Sequence, residues 1–312
     1  MIKNDSPKVV VLILSYNGKH LLEESVPSYL ANTYSNFTVT VIDNGSNDDT
    51  PAFLKKYYPE VNLIRIEKNQ GYSGGFNIGL NNAFVTAEAD YALVTNNDVK
   101  ADNHVIEELV KVAQTNPMIG FVTGKVYYYE NPDILQSVGK KEDPVRWNGG
   151  HIGNKERDEG QYDFISERFF ADDIFTLVTR KLFFDTGGYD ITFRFQCEEY
   201  DWQARGKALG YNIYYTPYAK IWHKESMTIG KNSSFKAYYD ARNPMLVILK
   251  HKPPDFFKRY FWKHFIKDIF QGSLVVVIKE FRVTFAFKMW QGFISGIIWA
   301  LKNKKLTWKH II

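Results

Sequence analysis

Six consecutive apolar residues, 9–14 (VVVLIL), constrain this chain more than any other stretch. A strand with no polar residue on either face has no solvated side, so it requires a sheet covered on both faces. Further strand-like runs follow at 37–42 (FTVTVI), 61–66 (VNLIRI) and 91–95 (YALVT). Between them, 21–30 carries helical spacing despite Pro27, Thr50-Pro51 suits the first turn of a helix, and 77–87 reads as another helix. Strands alternating with helices predict a mostly parallel α/β sheet, and such sheets bind ligands outside the carboxyl ends of their strands. The polar clusters 15–17, 43–46, 69–77 and 96–98 all follow strands or lie in the next loop, and together they predict a binding crevice.

Further along, 119–129 reads as a strand, 131–162 as loop, 198–209 as a helix capped by Gly210, and 212–216 and 219–222 as two strands, the second delivering His223. Pro253-Pro254 breaks the chain, and 256–301 reads as two or three helices. The charge changes with this break. The net charge is +4, but residues 251–312 hold 12 Lys/Arg against 3 Asp/Glu, whereas the first 250 residues are net acidic. The predicted division is therefore an α/β domain over 1–230 and a helical, basic and aromatic region over 231–312.

Composition excludes several classes. With 16% aromatic and 24% charged residues the chain is not intrinsically disordered. The single cysteine, Cys197, excludes a disulfide framework and a cysteine zinc site and fits a reducing, cytoplasmic setting. The polar start and the shortness of the 9–14 run argue against a signal peptide. The apolar run 283–301 is interrupted by Lys288, Gln291, Gly292 and Gly296, which makes it a poor spanning segment and a better surface-lying one. A basic, aromatic tail suits an anionic membrane surface; the competing reading packs it on the body or on a second copy in a homo-oligomer. No nucleic-acid motif accompanies the charge.

Asp43 ends a strand in Asp-Asn-Gly-Ser, where it serves either a turn or the imide N–H of a uracil or thymine base. The run 69–79 (NQGYSGGFNIG) fits neither the dinucleotide fingerprint nor a Walker loop, so its glycines serve close ligand approach or tight helix–sheet packing. Asn96-Asn97-Asp98 places one carboxylate among amides at a strand end, a weak site for a hard divalent cation unless His223 joins it. Glu198-Glu199 opens a helix, where the dipole favours acids in any case, yet adjacent carboxylates are also how a proton acceptor is tuned. Asp201 and Arg205 are spaced as an i,i+4 pair. Asp172 and Asp173 precede an apolar run and serve either sugar hydroxyls or loop solvation.

Taken in order, VVVLILSYNG, VIDNGSNDDT, NQGYSGGFNIG, TNNDV, GGYDITFRFQCEEYDWQARGKALGY and IWHK resemble the inverting family 2 glycosyltransferases of GT-A fold, within their rhamnosyltransferase and galactofuranosyltransferase branch. The resemblance covers about residues 9–224. It implies a donor dTDP- or UDP-sugar, with Tyr16 and Asp43 on the base and Asn17 and Asn77 near ribose and phosphates; Asn44, Asn69, Gly71, Asn97 and a cation at Arg242 complete that set. It implies Mn²⁺ or Mg²⁺ at Asp98 and His223, with Asn96 standing where the family has the first aspartate of its DxD element. It implies Glu199, beside Glu198, as the base; Asp172, Asp173 and Trp202 are separate candidates for contact with a glycan or lipid-linked acceptor. The expected activity is sugar transfer in cell-surface polysaccharide synthesis. Two alternatives remain: a non-catalytic glycan-binding module on a degenerate GT-A fold, which the Asn96 departure supports, and a nucleotidyltransferase, which would need a Gly-rich basic loop where Ser15-Tyr16-Asn17-Gly18 stands.

Overall fold

A computed structural model describes residues 6–172, 174–224 and 233–303. The run at residue 9 forms strand β1 (Val9–Ser15), buried along nearly its whole length. It lies between β2 (Phe37–Asn44) and β4 (Tyr91–Asn96), parallel to both, and β3 (Asn62–Ile66) adds in parallel beyond β2. Helices α1 (Lys19–Leu30), α2 (Thr50–Tyr57) and α3 (Gly71–Asn81) make the crossovers. The rest of the sheet runs β4, β11 (Phe175–Thr179), β6 (Ile119–Tyr128), β12 (Asn212–His223) and β10 (Ser166–Glu167). β6 and β12 are parallel, β11 is antiparallel to both neighbours, and most of the sheet's register is parallel. The short β5 (Val99–Ala101) pairs β12, and β7 (Asn131–Ser137) pairs β6. Helix α4 (Val105–Ala113) buries Val105, Ile106, Leu109 and Val110 in the core that holds Val9, Val11 and Ile13.

Several expectations need correction. The third helix begins at Gly71, not Asn77, and a wider π turn, Asn82–Thr86, ends it. The glycines therefore lie inside the helix. A Cβ on Gly75 would stand 2.5 Å from Leu14 Cδ1, and one on Gly79 2.3 Å from Ile42 Cδ1, so both let the helix close on the sheet. The stretch read as loop contains β7, β8 (Lys140–Asp143) and β9 (Trp147–His151). The two strands expected before His223 are one, with a bulge where its register against β6 shifts.

The chain divides into two compact units. The first comprises residues 1–142, 148–194 and 202–228; the second comprises 143–147, 195–201 and 229–312. Helix α5 (Arg180–Thr186) belongs to the first unit, and α6 (Glu198–Ala208) begins in the second and ends in the first. The second unit's other helices are α7 (Ser234–His251), α8 (Pro254–Lys263), a π segment (His264–Gln271), α9 (Gly272–Glu280) and α10 (Val283–Lys302). A Cβ on Gly292 would fall 2.0 Å from Tyr238 O, so glycine sets how closely α10 lies on α7. Among the described residues no helix is long and apolar enough to cross a membrane.

Candidate active site

Strand register assembles the site. Ser15 stands opposite Asp43, Asp43 opposite Arg65, and Leu14 opposite Asn96, so the polar ends of four parallel strands share one edge. The chain runs from β1 out to β3 and returns on the other side of β1 at β4, which makes β1/β4 the switch point where such sheets hold ligands. There Asn97 donates from Nδ2 to Ser15 Oγ at 3.1 Å. A Cβ on Gly18 would sit 2.2 Å from that Asn97 nitrogen, so only glycine leaves the amide its place.

Around this edge several expected donor residues bind the chain itself. Asp43 is fully buried; Arg65 donates to its Oδ2 and the Ser46 N–H to its Oδ1. Asn17, at φ 50°, donates its N–H to Ser46 Oγ at 2.8 Å and accepts from Asn47 N–H. Tyr16 is 37% exposed, the half-open ring of the set. Asn44 donates to Gly71 O at 2.9 Å, and Asn69 Oδ1 accepts from Gly71 N–H at 2.8 Å, which pins the start of α3 to β2. Asn77 holds Tyr189 through both its N–H and its carbonyl, at 2.9 and 2.8 Å. Asn96 Oδ1 accepts from Tyr72 O–H at 3.4 Å.

The antiparallel pairing of β5 with β12 sets His223 opposite Val99, and so beside Asp98. His223 Nε2 lies 3.2 Å from Asp98 Oδ1, with both side chains buried. Gln136, on β7, places Oε1 2.8 Å from His223 Nδ1. A carbonyl there calls for a proton on Nδ1, so in the neutral imidazole Nε2 presents a lone pair to the carboxylate. Two facing acceptors are reconciled by a second proton or by a cation, and a carboxylate oxygen with an imidazole nitrogen backed by an amide is a donor set for Mn²⁺. Among the described residues no group of three or more His, Cys, Asp or Glu gathers for a metal.

Glu198 and Glu199 form the first turn of α6, 3% and 9% exposed. The backbone before them is unusual: Arg194, Gln196 and Cys197 all have positive φ, at 51°, 69° and 69°. Such residues persist only where their surroundings fix them. In the second unit the fixing residue is Asn243 of α7, fully buried, donating to Phe195 O at 2.7 Å and Gln196 O at 2.9 Å. Its neighbour Arg242 donates to the Asn243 side-chain carbonyl at 2.6 Å. Asp201 does not pair with Arg205 as its spacing suggested. It is fully buried and takes Lys250 Nζ at 2.5 Å and His251 Nε2 at 2.8 Å, while Arg205 donates to the carbonyls of Thr186 and Gly188.

The acceptor candidates divide three ways. Trp202, expected beside the acceptor, is instead a core residue: it is 1% exposed, donates its indole N–H to Thr186 Oγ1, and packs edge-on against Phe121 and Tyr189. Asp173 lies outside the described residues. Asp172 is no solvated loop acid. It is buried, with Lys140 Nζ at 2.8 Å, His151 Nδ1 at 3.1 Å and the Ser137 hydroxyl on its oxygens. Burial pushes its carboxyl up, but the charges of Lys140 and His151 outweigh this and hold it well below the usual range.

Sequence reasoning missed Gln136, Arg65, Lys140 and His151 beside the first unit's candidates, and Asn243 beside the second unit's. Arg65 alone left a signal, since parallel pairing of its run with FTVTVI sets it opposite Asp43. The others act across long loops.

Residues 10–188 match the Glycosyl transferase family 2 domain. The chain belongs to that family. It is 23% identical over 224 residues to the poly-beta-1,6-N-acetyl-D-glucosamine synthase of Staphylococcus aureus, covering 71% of this chain and 51% of that protein. It is 29% identical over 116 residues to an uncharacterised glycosyltransferase of a Nostoc species, covering 36% of this chain and 35% of the other. The chain thus spans about half the length of the first of these relatives and about a third of the second. Among solved structures it resembles a Pyrobaculum calidifontis mannosyltransferase in complex with GDP-Man and Mn²⁺ (TM-score 0.56, 14% identity, 94% of this chain and 88% of that one). It also resembles S. aureus TarS residues 1–349 (TM-score 0.54, 14% identity, 96% and 83%). The fold is the GT-A fold of these enzymes.

Proposed function

We propose that this chain is an inverting glycosyltransferase that moves a sugar, of rhamnose or galactofuranose type, from a dTDP- or UDP-sugar to a glycan or lipid-linked glycan in cell-surface polysaccharide synthesis. It would work at the cytoplasmic face of a membrane. The observation that carries the reading is the Asp98–His223 pair, backed by Gln136, on a family 2 domain. The relatives support the class of reaction: one is named for a polysaccharide synthesis, and a structural neighbour holds a nucleotide-sugar with Mn²⁺.

In this reading Glu199 takes the proton of the acceptor hydroxyl as its oxygen attacks the anomeric carbon. The nucleoside diphosphate leaves from the opposite face and the configuration inverts. Asp98 and His223, with Asn96 beside them, would hold a divalent cation, which would supply positive charge opposite the departing diphosphate. Arg242 is the proposed second cation, Glu198 the neighbour that keeps Glu199 oriented. Tyr16 stacks on the base, and Asp43 meets its imide edge through a carboxylate that Arg65 already steadies. Asn17, Asn44, Asn69, Gly71, Asn77 and Asn97 shape the floor beneath ribose and phosphates. Asp172 receives acceptor hydroxyls through the half-exposed His151 it orients.

Glu199→Gln tests the reading. Turnover is expected to fall about 10²–10⁴-fold with nucleotide binding kept, because only the proton acceptor is removed. The glycan-binding module that the Asn96 substitution favours predicts no turnover in the parent chain and no effect of the change.

A further inference from the structure

From Pro254 to Glu280 the second unit is helical without a break, through α8, the π segment and α9. One side is buried through Tyr260, His264, Ile269 and Ser273. The other carries Trp262, Ile266, Phe270, Leu274 and Ile278, spaced by four residues and 45–67% exposed. On an α-helix such a row drifts by about 40° per step, and the wider π turn at 264–271 winds it back, so the row stays on one side for about 24 Å. Arg259, Lys263 and Lys267 form the neighbouring row, also spaced by four. Phe281, 85% exposed, closes the helix, and Phe287 and Ile298 of α10 are exposed as well.

We propose that this ridge docks on an anionic lipid bilayer, lying in its interface with the apolar row among the acyl chains and the cationic row at the headgroups. The inference deepens the membrane setting proposed above. Large exposed apolar rows are rare on soluble monomers, and spanning is excluded for the described helices. Charge decides between a bilayer and a second copy. Residues 251–303 hold nine Lys/Arg against three acids, and one of those acids, Asp268, is already held by Arg146 and His264. A two-fold contact along the ridge would press cationic rows together, whereas anionic headgroups neutralise them. Helix α8 of this ridge also frames, with α7 and α10, an apolar groove of about 490 Å³ between Met245, Leu249, Phe257, Phe261 and Ile297, room for a hydrocarbon chain.

The test is sedimentation of the full chain with vesicles of pure phosphatidylcholine, or with about a third phosphatidylglycerol. Binding is expected only to the anionic vesicles, weakening with salt. Each cation at such a surface changes partition about fivefold, so Arg259→Gln/Lys263→Gln/Lys267→Gln lowers it about 100-fold. Phe270→Ser/Ile278→Ser lowers it as well. Both variants alter exposed or half-exposed side chains, and unchanged melting temperatures confirm that they fold. Equal binding to both vesicle types, binding to neither, or a dimer in solution that Phe270→Ser dissolves would overturn the proposal. Sugar transfer to a water-soluble acceptor should be untouched in both variants. If the parent chain shows no transfer yet binds anionic vesicles, the proposed reaction fails and this inference stands.

Discussion

The two units solve the placing of apolar residues in opposite ways. In the first, Val9 to Ile13 vanish between helix layers and the polar ends of the strands collect along one edge. In the second, Tyr260, Ile269 and Phe293 are buried while Trp262, Phe281 and Phe287 stand in solvent. A closed core leaves its chemistry to strand ends. A helical array with apolar residues on both sides has a core and a contact surface at once.

The contrast can be broken most severely at Asp201, a fully buried acid of the second unit. Asp201→Ala removes the carboxylate that Lys250 and His251 share, and denaturant unfolding should show a loss of about 3–5 kcal/mol. A loss under 1 kcal/mol would mean that the unit does not depend on that cluster. In the first unit, Gly79→Ala pushes a methyl into Ile42 and should cost about 1–3 kcal/mol, read by the same unfolding curves. Asn243→Leu removes both hydrogen bonds to the carbonyls before α6. Turnover should fall while nucleotide affinity holds, and Asn243→Asp should not restore turnover, since a carboxylate does not donate.

A smaller effect sharpens the picture at Asp172. Its carboxyl titrates lower folded than unfolded, so its contribution to stability is full above the unfolded value of about 3.8 and is lost as pH falls below that toward the folded value. Asp172→Asn should flatten that acid limb of the stability–pH curve. An unchanged limb would show that Lys140 and His151 do not hold the charge.

Much of this was legible because the parallel strands are short runs rich in β-branched and aromatic residues between turn signals, unbroken and apolar in β1: β1, β2, β3 and β4 lie where 9–14, 37–42, 61–66 and 91–95 placed them. The start of α3 was not, because glycine is a poor helix former and the helix gains its stability from contact with Leu14 and Ile42. β7, β8 and β9 escaped notice because Asn, Pro, Gly and Lys break their alternation. Local spacing misjudged Asp201, whose partners come from α7, about fifty residues on. The pairing of Asp98 with His223 was expected from resemblance; Gln136 behind it depends on a register that no pattern encodes.

The central claim, a cation-assisted donor site at Asp98 and His223, is tested most directly by calorimetry of UDP and dTDP binding with and without Mn²⁺. The account predicts that Mn²⁺ tightens binding in the parent chain, that His223→Ala abolishes the difference, and that Gln136→Leu weakens Mn²⁺ affinity about 10–100-fold. Nucleotide affinity that is indifferent to Mn²⁺ in the parent chain, or a Mn²⁺ effect undiminished in His223→Ala, would contradict it.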